Sequence, residues 1–291
     1  MWTHHALSLN LPIMVQPLNA NSLASLVTRY QFYPYHVTQV SSPWPIVTAQ
    51  SVLSMLLGMV LWFNGIENGT TIMTLGLVTT LFAWTLWFKD ITVEGTYLGD
   101  HTQVVQKSLS LGVTLFIVTE AFFFVSIFWA YLHSSLAPTV ELGSAWPPAA
   151  IEALSPYTIP LLNTILLVSS GAFVTYAHHA MIRGVRSDAL VGAFITVVLA
   201  VIFTGLQGYE YAEAGFSIAD GAFGTVFFFG TGFHGAHVLV GTIFIAVGLG
   251  RLYAYHLTAT HHVGMEAAIL YWHFVDVVWL FLYAVVYCWG S

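Results

Sequence analysis

Charge is what this sequence has least of. Six Lys and Arg and thirteen Asp and Glu make up 7% of 291 residues, where a soluble domain carries about 25%. A water-soluble fold of this size cannot cover its surface with so few charges, so lipid must be the solvent for most of the chain. So few basic residues also exclude a nucleic-acid partner, because gripping phosphates takes a basic face. The single cysteine, Cys288, excludes an intrachain disulfide framework and any paired-cysteine metal or redox motif. It is expected to pack as a small apolar side chain near the end of the last helix. The first 45 residues lack an apolar run long enough for a secretory leader, and with only Arg29 they are too poor in arginine for an organellar transit peptide. They are expected to form an uncleaved extramembrane arm, 1–45.

What the chain has in quantity is apolar: 57% of all residues are hydrophobic and 15% of all residues are aromatic, with a mean hydropathy of +0.79. A helix crosses about 30 Å of hydrocarbon in about 20 residues, and every backbone group there must be paired internally. Apolar stretches of that length lie at 46–64, 70–88, 108–133, 157–182, 189–212, 221–250 and 267–288, which predicts an all-α chain of seven transmembrane helices. The breaks carry loop chemistry: Asn64-Gly65 and Asn68-Gly69, Lys89-Asp90, the proline-rich 138–160, Arg183-Gly184, 213–220 and 251–266.

The charges test that count. With seven spans, the N-terminal arm and the loops after helices 2, 4 and 6 share one face, and they hold Arg29, Lys89, Lys107, Arg183, Arg186 and Arg251, all six basic residues. The opposite face has Glu67, Glu141, Glu152, Glu213 and Asp220 and no Lys or Arg. The positive-inside rule produces such a split, and miscounting one span destroys it. It puts the N-terminus on the cytoplasm-equivalent face. Most tryptophans fall near predicted span ends, as an interfacial belt requires; Trp84 and Trp279 lie deeper and read as packing residues.

Few groups inside the spans can do chemistry. A charge at mid-bilayer costs on the order of 3 kcal/mol, so each such residue needs a reason. Glu120, amid phenylalanines in LFIVTEAFFFVSIFW, is either a proton-exchanging carboxyl or an acid hydrogen-bonded to a neighbouring helix; the second reading is favoured. His273 and Asp276 are three apart and share a helix face, as a proton relay or metal-orienting couple would, or as an interhelical tether, which again is favoured. His234 and His237 also share a face and are expected to belong to the same interhelical polar tether; as metal ligands they would be two where a Zn or Cu site wants three or four. Adjacent histidines on a helix point about 100° apart, so neither His178-His179 nor His261-His262 chelates one ion by itself. No metal site is therefore expected. The glycines around His234 (Gly230, Gly232, Gly235, Gly241) read as close helix approaches, and Glu210 as a helix-end carboxylate reaching interfacial water.

Seven segments in order, LFIVTEAFFFVSIFWAYLHSSLAPT, ELGSAWPP, PLLNTILLVSSG, TYAHHAM, FTGLQGYEY, TGFHGAHVLVGTIF and YWHFVDVVWLFLYAVVYCWGS, resemble cytochrome c oxidase subunit III, and the resemblance covers roughly 43–291. The compact SSLAPTVELGSAWPP loop resembles the mitochondrial version more than the bacterial one. The resemblance implies a V-shaped bundle, helices 1–2 (46–90) forming one arm and helices 3–7 (91–291) the other, with structural phospholipids between. It implies a subunit without a catalytic site, haem or copper of its own, those cofactors residing in partner subunits. It implies direct contact with oxidase subunit I, further contacts with other oxidase subunits or respiratory supercomplex partners, and support of proton uptake. It implies a mitochondrial inner-membrane location with the N-terminus in the matrix, the bacterial cytoplasmic membrane being the alternative. By position, Glu120 matches the family's intramembrane carboxylate, and Lys89, Glu94, His101 and Arg251 match residues near lipid headgroups. The chain departs from many relatives at Trp87-Phe88, Val93 and Asp100, which weakens a cationic lipid clamp. Two rival classes differ in kind. A b-type haem protein needs facing axial histidines at matched depth, and an ion-coupled transporter of the inverted-repeat kind shows paired broken helices, which seven spans without matched interruptions do not supply.

Overall fold

The computed structural model describes residues 42–140, 143–149 and 151–290. The expected arm 1–45 falls almost wholly outside them, as do Arg29 and Glu141. Among the described residues seven helices are long and apolar enough to cross a membrane: α1 (Trp44–Phe63), α2 (Gly69–Val93, prolonged by a π-turn Glu94–Leu98), α3 (Gln103–Leu136), α4 (Ile159–Ile182), α5 (Arg186–Glu213), α6 (Gly221–Tyr253) and α7 (Val263–Leu282, prolonged by a π-turn Tyr283–Cys288). The seven predicted spans are all there.

Their limits follow local chemistry. Prolines sit in the first turns of α1 and α4, where the missing N–H has no intrahelical partner to lose. The break after α1 uses Gly65 (φ +68°) and Asn68 (φ +66°), left-handed conformations that stop a helix. The expected break at Lys89-Asp90 does not occur: α2 runs on through both residues and ends only at Gly99 (φ +69°). Apolarity marks where hydrocarbon ends, but intrahelical hydrogen bonding continues past it, and interfacial charges do not interrupt it. The abundant Ser and Thr of the spans return their hydroxyls to the carbonyl three or four residues back, as Thr85 does to Leu81 at 2.8 Å and Ser169 to Ile165 at 2.6 Å, so they need no outside partner in lipid.

The chain forms two compact units, parting between Val105 and Gln106. In the first, α1 and α2 meet along a seam of small residues: Ser51, Gly58, Gly69, Gly76, Thr80 and Ala83 are the buried ones. A Cβ added to Gly58 would lie 2.2 Å from the Met73 backbone nitrogen, and one added to Gly76 would lie 2.4 Å from that of Met55. Within this seam Thr80 Oγ1 donates to Ser51 Oγ at 3.0 Å. Without a hydrophobic force between helices in lipid, such close approach is what holds them. In the second unit α7 is central, with half of its most apolar stretch buried against 11% for α3. Its Trp272 and Trp279 are fully buried, and Phe203 meets Trp279 edge-on at 4.8 Å.

Three expectations need correcting. Trp279 is a packing residue, but Trp84 is 44% exposed, so depth along a helix did not imply a buried face. Cys288 is exposed at the end of the π-turn. Of the four glycines around His234, Gly241 does admit a neighbour, with Trp272 2.9 Å from its would-be Cβ, whereas nothing lies within 4 Å at Gly235.

Candidate functional site

Glu120 projects from the middle of α3 toward α6, where its Oε2 lies 3.1 Å from His237 Nε2. The other ring nitrogen, Nδ1, is 2.8 Å from the Phe233 carbonyl one turn back. A carbonyl oxygen only accepts, so Nδ1 carries the hydrogen, and the Nε2···Oε2 contact needs one further proton on either the imidazole or the carboxyl. The pair is thus joined through one shared proton in the membrane-spanning part of the bundle. Aromatic rings of Phe124, Phe233 and Tyr271 pack around the imidazole at centroid distances of 5.1, 4.6 and 6.1 Å. The carboxylate is not sealed in: its side chain is 24% exposed, against 10% for His237.

His234 and His237 share a face of α6 but serve different neighbours. His234 Nε2 lies 3.2 Å from the Val275 carbonyl of α7, and the ring is fully buried against Phe203 and Trp279. His273 and Asp276 approach within 3.6 Å. The Nε2 of His273 is 3.1 Å from Thr175 Oγ1 on α4, while Gly171 leaves room for Asp276, whose Oδ2 would otherwise meet a Cβ at 2.3 Å. Trp272 and Trp279 donate to Ser170 (2.9 Å) and Thr164 (3.0 Å), so α7 is fastened to α4 at three levels.

Glu210 departs from expectation. It does not reach interfacial water but is 2% exposed, accepting hydrogen bonds from Tyr287 at 2.5 Å and Gln207 at 3.3 Å. Asn163 donates to Gln207 across the α4–α5 contact. Four residues from three helices thus form a buried polar knot. Tyr287 reaches it from the π-turn, whose position the apolar pattern could not disclose.

The headgroup candidates occupy separate places. In the first unit Lys89 is exposed near the end of α2. His101 folds back over the π-turn to within 3.8 Å of Glu94, and Trp44 donates to Asp90 at 2.6 Å. In the second, Arg251 ends α6 half-buried, its guanidinium lying over Gly264 at the start of α7.

The expectation that no three metal-ligating groups converge is overturned. Among the described residues, His178 of α4, His262 at the start of α7 and Glu266 one turn into it bring ligand atoms within 4.8 Å of one another. One histidine comes from each tandem pair, so treating the pairs separately hid the cluster. The detectable signal was His262 and Glu266 at i, i+4 on one helix face.

Against known proteins, the sequence profile of the family described as cytochrome c oxidase subunit III matches residues 33–291. The chain is 56% identical over 269 residues to cytochrome c oxidase subunit 3 of Mycosarcoma maydis, covering 91% of this chain and 98% of that one. It is 57% identical over 267 residues to the Neurospora crassa protein of the same name (91% and 98% covered). It is 54% identical over 283 residues to that of Rhizopus stolonifer (96% and 100%).

Proposed function

Since the chain belongs to the cytochrome c oxidase subunit III family, and is thereby a subunit of the mitochondrial inner-membrane oxidase, we propose that it acts there as a non-catalytic, phospholipid-binding core subunit that supports proton uptake by the catalytic subunit. One observation carries this reading. Inside the membrane, His234, His273, Trp272 and Trp279 are committed to helix-to-helix hydrogen bonds, and both ring nitrogens of His237 are occupied. The Glu120–His237 pair is partly accessible through its carboxylate and on this reading holds or releases one proton. Redox chemistry then belongs to the haem and copper of other subunits, and this chain contributes scaffold, lipid and a proton-holding group beside oxidase subunit I.

The lipid role rests on Lys89 in one unit and Arg251 in the other, each worth about 1 kcal/mol of attraction to an anionic surface where exposed. The test is removal of the chain from purified oxidase. Haem and copper spectra and the first turnovers should stay unchanged, the phospholipid count by mass spectrometry should fall, and activity should decay over many turnovers. Loss of a haem or copper centre with the chain would refute the supporting role.

A matrix N-terminus is supported by the charge pattern, since with seven spans every basic residue of the sequence falls on the N-terminal face. With Cys288 replaced by Ser, cysteines introduced at Ser187 and Thr258, both exposed, should react with a matrix-side reagent. One at Ser144, exposed in the loop between α3 and α4, should react only from the other side. Labelling of residues 144 and 258 from one side would overturn this topology.

A further inference from the structure

The His178, His262 and Glu266 cluster is not used by the function proposed above. It sits where α4 ends and α7 begins, at the end of the bundle that also holds Arg183, Arg186 and Arg251. His262 Nδ1 is 2.8 Å from the Thr258 carbonyl, so its hydrogen is on Nδ1 and Nε2 presents a lone pair. That lone pair faces Glu266 Oε1 at 3.2 Å, a second acceptor, without a directed hydrogen bond. The third member, His178, has its Nε2 buried with no hydrogen-bond partner, and its ring meets that of His262 edge-on at 5.6 Å. Two imidazoles and a carboxylate from two helices therefore converge, and neither His178 Nε2 nor His262 Nε2 makes a protein hydrogen bond. A cation relieves that arrangement.

We propose that His178, His262 and Glu266 bind one divalent transition-metal ion, with Zn²⁺ the best match. Two imidazoles and a carboxylate are borderline ligands that suit zinc, and the absence of a thiolate disfavours soft monovalent copper. The backbone carbonyl that holds His262 Nδ1–H fixes its tautomer and ring plane, the usual outer support of a zinc histidine. Tetrahedral bonds of about 2.1 Å set ligand atoms about 3.4 Å apart. The His262–Glu266 pair, at 3.2 Å, already meets this, all three ligand atoms lie within 4.8 Å of one another, and Glu266, whose side chain is 46% exposed, has room to turn toward the ion. Three protein ligands leave a fourth position open. A recess of about 270 Å³, lined by His178 and Glu266 together with Ser110 and His273, gives a water molecule or small anion access to it.

The experiment uses intact purified oxidase, stripped with a chelator and re-equilibrated with Zn²⁺, with bound zinc counted by mass spectrometry. Wild type should hold one more zinc per complex than Glu266→Gln or His178→Ala. Loss of a direct ligand should weaken binding at that site at least about tenfold, since loss of outer support alone costs about 10–100-fold. Equal stoichiometry and affinity in wild type and Glu266→Gln would overturn the site. Should His178→Ala fail to assemble, wild-type complex soaked in Cd²⁺ decides alone: density among the three side chains supports the site, and its absence removes it.

Discussion

Gly76→Leu should prevent the first unit from packing and deplete the whole chain from assembled oxidase. At Gly76 even a Cβ would stand 2.4 Å from the Met55 backbone nitrogen, and at Gly58 one would stand 2.2 Å from that of Met73. Neither obstacle is a flexible side chain, so the helices must separate by more than an ångström. They would lose the close contact that replaces the hydrophobic effect in lipid. Overpacking a soluble core costs about 1–3 kcal/mol, and a leucine against backbone should reach or exceed the top of that range. Gly112→Ala, on a stretch of α3 with nothing within 4 Å, is the matched control. Immunoblots of native gels give the measurement: Gly76→Leu should lose most of its assembled band while Gly112→Ala keeps it. Normal assembly of Gly76→Leu would mean the seam is not what pairs α1 with α2.

The second large effect separates the two roles of Glu120. Glu120→Gln still offers a hydrogen to His237 Nε2, whereas Glu120→Ala leaves that nitrogen unpaired among rings and costs about 1–3 kcal/mol locally. A tether alone predicts a stable, fully active Gln variant and a weakened Ala variant. Proton holding predicts that both lose sustained turnover equally, because neither side chain can ionise, while only Ala lowers thermal stability. The proposed function expects the second pattern, with the first turnovers intact in both. Activity followed over many turnovers, alongside a melting curve, reads out both quantities. Immediate loss of all activity in a fully metallated complex would contradict any supporting role.

Much of this architecture was legible because a bilayer leaves a sequence few options: about 20 apolar residues must be helical and must cross. Helix limits were less legible, since Lys89 and Asp90 end the apolar run without ending α2. Glu120 stood out by the cost of a carboxyl among phenylalanines, yet its partner did not. His234 and His237 look equivalent in sequence, and only the packing of α6 between neighbours sends one to α7 and the other to α3. Distances of 84 residues, as between His178 and His262, carry no local periodicity, so the three-ligand cluster needed the fold before it could be seen.

The lengths of the helices in the second unit have a consequence for the lipid around them. At 1.5 Å per residue, the 34 residues of α3 and the 33 of α6 reach about 50 Å, against about 30 Å of hydrocarbon. Such helices cannot stand upright with both ends at the hydrocarbon boundary; they must lean or overhang. Their basic residues, Lys107 and Arg251, lie within five residues of a helix end, so the excess length carries no Lys or Arg into the acyl chains. The extra length of α3 and α6 therefore lies in the headgroup region or is taken up by tilt, a demand that the 20-residue α1 does not make.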